Sequence, residues 1–144
     1  MSIKDKNAMM LIHDTSKTFK EIMRKKCEAV GISDRYRLIL LFLGRNDGST
    51  QLDIVNWTKL KAPTISLTLQ MMEEDGLIKR VINENDKRNV NIFLTDIGKN
   101  MIDKIIVLIH ETEDILFNGI DKKDIQLLEE VLRKMLSNVG DCNA

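Results

Sequence analysis

Between Leu77 and Leu94 the hydrophobic period of this chain changes from helical to two. Leu77 to Ile82 is short and rich in β-branched residues, and Val90, Ile92 and Leu94 then alternate with Asn89, Asn91 and Phe93. Such alternation buries one face of a strand and wets the other. The intervening Asn83-Glu84-Asn85-Asp86-Lys87-Arg88 is wholly polar and full of turn formers. The pattern predicts a hairpin with an extended, charged tip. Everything around it reads as helix, so the expected class is mainly α with a small β-hairpin (α+β).

The helices follow from spacing and punctuation. Leu11, Ile12, Thr15, Phe19, Ile22, Met23 and Val30 recur near helical spacing, which predicts a helix over about 5–30 stopped by Gly31. Tyr36 and Leu38 to Leu43 predict a second, capped by Ser33 or Asp34 and apolar nearly all round, hence central. Gly44 and Gly48 bracket the next turn. Thr50 offers a hydroxyl cap with Asp53 three residues on, opening a short helix to about Trp57. Pro63, the only proline, suits a helix's first turn, and Ile65, Leu69 and Met72 then make one buried stripe that ends at Asp75-Gly76. After the hairpin, Thr95 caps a long helix to about Asn118, with Ile102, Ile105, Ile106, Ile109 and Leu116 on its apolar face. Gly119 breaks it. Asp121 caps a last helix lined by Ile125, Leu128, Leu132, Met135 and Val139.

Composition narrows the function classes. The chain has 144 residues, 22 Lys plus Arg and 22 Asp plus Glu, so it is expected to be one domain with no histone-like basic tail. Zero net charge conceals a gradient. Residues 1–34 and 35–99 each carry a net +2, and residues 100–144 carry −4. The middle third holds the pairs Lys59/Lys61, Lys79/Arg80 and Lys87/Arg88. The longest uncharged apolar runs, Ile39–Gly44 and Ile105–His110, are too short to cross a bilayer, and the first residues lack a signal peptide's apolar core. Cys27 and Cys142 lie far apart without metal-type spacing, and Cys142 falls in a tail expected to fray. The expectation is a reduced, cytoplasmic protein with no membrane partner.

Two short helices joined by a tight turn, the second opening at Pro63, form a helix-turn-helix pattern. A hairpin with a basic tip directly after them converts this into a DNA-docking arrangement. A helix fits the major groove, and an arginine at the tip reaches the narrower minor groove.

These residues also carry a resemblance. Pro63-Thr64-Ile65-Ser66, then Met72-Glu73-Glu74-Asp75-Gly76-Leu77-Ile78-Lys79-Arg80, then Asp86-Lys87-Arg88, then Leu94-Thr95-Asp96-Ile97-Gly98 follow in order. The series resembles the multiple antibiotic resistance regulator (MarR) family, over about residues 5–140. That family runs from a recognition helix through a Gly-Leu-Ile/Val-x-Arg strand and an Asp-x-Arg wing tip to a Leu-Thr-x-x-Gly helix start. The resemblance implies a winged-helix homodimer that binds a pseudo-palindromic operator and usually represses. It also implies a small aromatic or anionic effector in a crevice beside the DNA-binding lobe. The resulting division is a DNA-binding lobe at about 34–98 and dimerisation helices at about 5–30 and 99–139. The surplus of apolar surface on the first, fifth and sixth helices agrees with a partner of the same kind.

The residues expected to meet DNA each have a chemical reason. With Ile65, Leu69 and Met72 turned inward, Thr64, Ser66, Leu67 and Gln70 lie on or near the outward side. Gln70 suits adenine, the hydroxyls suit bases or phosphates, and Leu67 suits a thymine methyl. Many family members have Arg or Lys near Leu67, so a guanine contact is not expected there. Arg88 suits an A·T-rich minor groove, whose narrowness concentrates negative potential. Asp86 resembles the family acid that fixes the arginine and the turn. Lys87, Lys59 and Lys61 are phosphate candidates. Arg80 meets phosphate or pairs with an acid of the wing.

Other signals carry less. The eight methionines read as core filler. His13 and His110 have no second ligand at i+4, so no metal and no cofactor are expected. Cys27 reads as a passive thiol, although some relatives sense peroxides through an early cysteine and Lys25 and Lys26 stand beside it. Trp57 reads as a packing residue. No Ser-His-Asp order, P-loop or carboxylate pair points to an enzyme. The alternative to a transcriptional regulator is a winged-helix adaptor that uses the same lobe on protein.

Overall fold

Asn7 begins the first long helix, because its side chain accepts the Met10 N–H at 3.1 Å and so satisfies an orphan donor of the first turn. The computed structural model of the protein describes residues 1–140, and Cys142 lies outside them. The helix α1 spans Ala8–Ala29, starting later than the periodicity predicts, with a separate 3-10 turn at Ile3–Asp5 before it. Then come α2 (Asp34–Arg45), β1 (Ser49–Thr50), α3 (Gln51–Thr58), α4 (Ala62–Glu74), β2 (Ile78–Ile82), β3 (Val90–Leu94), α5 (Asp96–Leu116) and α6 (Lys122–Asn138). The chain divides into two compact units after His110.

In the first unit, α2 is the central helix. Tyr36, Ile39, Leu40, Phe42 and Leu43 are buried, and Ile54, Ile65, Leu69, Met72, Leu77, Ile78, Ile92 and Leu94 complete the core around them. Met23 and Cys27 of α1 and Ile102, Ile105 and Leu108 of α5 join the same cluster. Arg37 is also buried, its Nε donating to Asp34 Oδ1 at 2.9 Å, which keeps an interior charge paired. The Phe42 and Trp57 rings pack with centroids 5.2 Å apart, although Trp57 remains half exposed.

The sheet differs from the expected two-stranded hairpin. It has three antiparallel strands in the order β1-β3-β2. Arg80 lies opposite Ile92 in the hairpin, and Ser49 lies opposite Ile92 on the other side of β3. Two residues are too few to show any period, so β1 becomes a strand only through its partner. Asp47 and Asn91 secure it. Asp47 Oδ1 accepts the Leu94 N–H at 2.8 Å, and Asn91 Nδ2 donates to the Gly48 carbonyl at 2.7 Å.

The step from wing into α5 is built on Thr95. Its hydroxyl donates to the Gly76 carbonyl at 2.6 Å and accepts the Gly98 N–H at 3.2 Å. Gly76 has φ +78°, which a side chain rarely adopts, and a Cβ on Gly98 would overlap the Leu77 carbonyl oxygen. The Leu-Thr-x-x-Gly spacing therefore has a steric cause here. Within α5, Ile106 is exposed rather than part of the apolar stripe, and Leu108 is buried in its place. The buried stripe, Ile102-Ile105-Leu108 with Ile109 packed beside it, is turned about the helix axis towards Leu108, which leaves Ile106 at its edge.

The second unit contains the end of α5 and all of α6. Asp121 occupies the N-cap position of α6, but its side chain makes no cap bond there. No residue of α6 is buried. Leu127, Leu128, Val131, Leu136 and Val139 are exposed, while Ile125, Leu132 and Met135 are half-buried.

Candidate nucleic-acid interface

The helix-turn-helix is assembled from local chemistry. Thr50 and Asp53 form a reciprocal capping box: the Thr50 hydroxyl accepts the Asp53 N–H at 3.2 Å and Asp53 Oδ2 accepts the Thr50 N–H at 3.0 Å. The α3 helix closes at Lys59, which has φ 60° and is the one non-glycine residue with positive φ among the described residues. Thr58 ties the turn. Its hydroxyl donates to the Ile54 carbonyl at 2.8 Å and accepts the Leu60 N–H at 3.3 Å. Pro63 then lies in the first turn of α4.

On α4, Ile65, Thr68, Leu69 and Met72 are buried, whereas Thr64, Ser66, Leu67 and Gln70 are exposed. Thr68 is a polar residue in the buried set, and its hydroxyl is satisfied by the Thr64 carbonyl at 2.8 Å. Lys59 and Lys61 are exposed at the start of the helix. The far end of α4 carries Glu73, Glu74 and Asp75, and each has a partner. Gln70 Nε2 donates to Glu74 Oε1 at 3.4 Å, and the Tyr36 hydroxyl donates to Asp75 Oδ2 at 2.7 Å. Burial, reinforced by that bond to a carboxylate, pushes the Tyr36 hydroxyl up to about 12. The bond ties the central helix to the end of α4.

The wing tip is folded by its own side chains. Asp86 Oδ1 accepts the Arg88 N–H at 3.1 Å, its Oδ2 accepts from Asn89 Nδ2 at 3.3 Å, and Asn83 Oδ1 accepts the Asn85 N–H at 2.9 Å. Asp86 thus holds the backbone at Arg88. Among the described residues no carboxylate pairs with the Arg88 guanidinium. Lys87 and Arg88 are exposed.

Arg80 is paired with an acid, but one of α4 rather than of the wing. Glu73 Oε2 accepts the Arg80 N–H at 3.2 Å, and Glu73 Oε1 lies 3.8 Å from Arg80 Nε. Sequence reading missed Glu73, because a seven-residue separation across a helix end and a turn matches no period. Only the glycine-closed turn at Gly76 brings the two together.

Other candidate chemistry resolves differently. Cys27 is fully buried, and burial, with the Asp34 carboxylate adding, pushes its thiol up, away from the thiolate that Lys25 and Lys26 would favour. Among the described residues no three His, Cys, Asp or Glu side chains cluster as metal ligands. No helix there is long and apolar enough to cross a membrane. A cavity of about 230 Å³ beside the lobe is lined by Leu43, Gly44, Asp47, Leu94, Lys99, Ile102 and Asp103.

Known proteins share this arrangement. Residues 30–89 match the model of the MarR family. A MarR transcriptional regulator from Methanosarcina mazei Go1 is 26% identical and superposes with a TM-score of 0.81 over 90% of this chain and 93% of its own. A MarR family transcriptional regulator from Listeria monocytogenes, solved in complex with a 26mer DNA, is 22% identical, with a TM-score of 0.83 over 96% of this chain and 92% of its own. MarR from E. coli in its apo form is 19% identical, with a TM-score of 0.81 over 91% and 97%. The MarR family's model thus lies on the helix-turn-helix and wing, and over nine-tenths of the sequence the chain has the winged-helix fold of MarR-family regulators.

Proposed function

We propose that this chain is a sequence-specific DNA-binding transcriptional regulator that works as a homodimer on a pseudo-palindromic operator, as a repressor responsive to a small effector. The observation that carries the reading is one lobe that offers two different kinds of contact. The exposed stripe Thr64, Ser66, Leu67 and Gln70 suits base edges in a major groove. The exposed Arg88, on a tip stiffened by Asp86, suits a minor groove. Lys59, Lys61 and Lys87 add affinity through phosphates without reading sequence. The DNA-bound Listeria relative with the same fold supports this assignment.

Residues 34–98 act as the DNA-binding lobe, and 5–30 with 99–139 as dimerisation helices. The exposed apolar side chains of α6 support a second copy as their partner. Two lobes related by a twofold axis would read inverted half-sites about one helical turn apart, roughly 10 base pairs. The cavity beside Leu43, Leu94 and Ile102, with Lys99, Asp47 and Asp103 as its charged groups, offers room for a small effector. Such a ligand would regulate binding by altering the spacing of the two recognition helices.

The test separates wing from helix. Operator fragments are first selected from random duplexes, and variants are then titrated on cognate and scrambled DNA at two salt concentrations. Arg88→Ala is expected to weaken binding to both A·T-rich duplexes and to make the salt slope shallower by about 0.9 per lost contact. Gln70→Ala is expected to cost about 1–3 kcal/mol on the cognate site alone. Unchanged affinity in Arg88→Ala on every duplex would reject the wing as a DNA contact and favour an adaptor that uses this lobe on protein.

A further inference from the structure

The Glu73–Arg80 pair leaves one group unexplained. Arg80 Nε is buried and has no hydrogen-bond partner. The nearest acceptor atom of Glu73 stands at 3.8 Å, outside hydrogen-bonding range, while the other carboxylate oxygen is taken by the Arg80 N–H. A guanidinium carries five donors in a fork suited to two-point recognition of an oxyanion. Here it is held by one carboxylate that is already half engaged. A buried, unsatisfied charged donor costs stability, so its retention needs a cause.

Position supplies one. Glu73 lies three residues beyond Gln70 and seven beyond Ser66, so it continues the stripe of α4 that carries these two exposed residues. Arg80 lies on β2, two residues before the wing strand ends at Ile82. The pair thus joins the end of the recognition helix to the root of the wing. A carboxylate there repels a DNA backbone, and its partner is a cation of the type that binds one. The next acid, Glu74, is engaged within the helix, accepting from Gln70 Nε2 at 3.4 Å.

Resting on the DNA-binding reading above, we propose that Glu73 is an affinity-setting residue: it holds the Arg80 guanidinium in the free protein and competes for it with a DNA phosphate. Binding exchanges the loose carboxylate contact for a phosphate that satisfies the fork. Glu73 therefore weakens binding and keeps it below what the lobe's cations allow.

The test is a double-mutant cycle on the intact chain, with Glu73→Gln, Arg80→Gln and the double variant titrated on selected operator DNA at several salt concentrations. Glutamine keeps an acceptor for the Arg80 N–H, so the thermal midpoint is expected to hold. If it falls, Glu73→Asp, which shortens the arm, takes its place in the cycle. Glu73→Gln is expected to tighten binding by about tenfold (about 1.4 kcal/mol) and to steepen the salt slope by about 0.9, one added phosphate contact. In the Arg80→Gln background the same change is expected to give less than about a twofold gain. An equal gain in both backgrounds would mean that Glu73 acts as a bare charge, and weaker binding in Glu73→Gln would mean that it only braces the wing. Either overturns the proposal and leaves the DNA reading standing. Failure of every chain, wild type included, to bind any duplex overturns both.

Discussion

The helices α2 and α6 are both strongly amphipathic or apolar, yet they meet opposite fates. In α2, 12 residues long, six are buried, Arg37 among them. In α6, 17 residues long, none is buried. The difference lies not in how much apolar surface each carries but in where its partners are. Elements of the same chain cover the apolar side of α2, leaving Arg35, Gly44 and Arg45 exposed, so Leu40 and Leu43 are settled within one folded unit. The exposed leucines and valines of α6 form a face of the kind that monomeric proteins rarely leave open over a large area. Intrachain burial holds the DNA-binding lobe together, and a second copy is the proposed cover for α6.

The sharpest way to break this comparison is to spoil the α6 face. Leu128→Asp with Leu136→Asp is expected to convert a dimer into monomers at micromolar concentration, with helix content largely kept because both side chains are already exposed. Sedimentation velocity would show it. A variant that still sediments as a stable dimer would move the interface elsewhere.

A milder pair of substitutions sharpens the contrast. Leu40→Ala in α2 is expected to cost about 2–5 kcal/mol of unfolding free energy, because it opens a cavity in a closed core. Leu128→Ala is expected to cost less in folding and instead to make the melting midpoint depend more strongly on protein concentration. Thermal melts at several concentrations would test both. If the two variants behave alike, the faces are not different in kind.

The smallest effect concerns the tie between α2 and α4. The Tyr36 hydroxyl titrates higher in the folded chain (about 12) than at its ordinary value of 10.0, so its protonated form favours folding. That contribution is fully present below about pH 10 and is lost as pH rises towards 12. Tyr36→Phe is expected to lower stability by about 1.5 kcal/mol at neutral pH and to remove this alkaline decline. Urea melts between pH 8 and 11 would measure it, and an unchanged alkaline slope would reject the assignment.

Much of the lobe was legible in residues one to four apart. The Thr50/Asp53 capping box, the Pro63 helix start, the buried Ile65-Leu69-Met72 stripe, the turn at Gly76 and the alternation through Ile92 and Leu94 are local signals, and each appears where those signals predict it. The outward set of Thr64, Ser66, Leu67 and Gln70 followed from the same period. What local spacing could not show depends on groups far apart in the chain. Ser49 and Thr50 become a strand only by pairing with β3, and Asp75 finds Tyr36 across 39 positions. Glu73 reaches Arg80 because a positive-φ glycine reverses the chain between them. Burial removes Cys27 from water, although Lys25 and Lys26 precede it. Spacing along a helix or strand sets which side chains share a face. Which face is covered, and by which distant acid, base or hydroxyl, depends on free energies that exist only once the elements have packed.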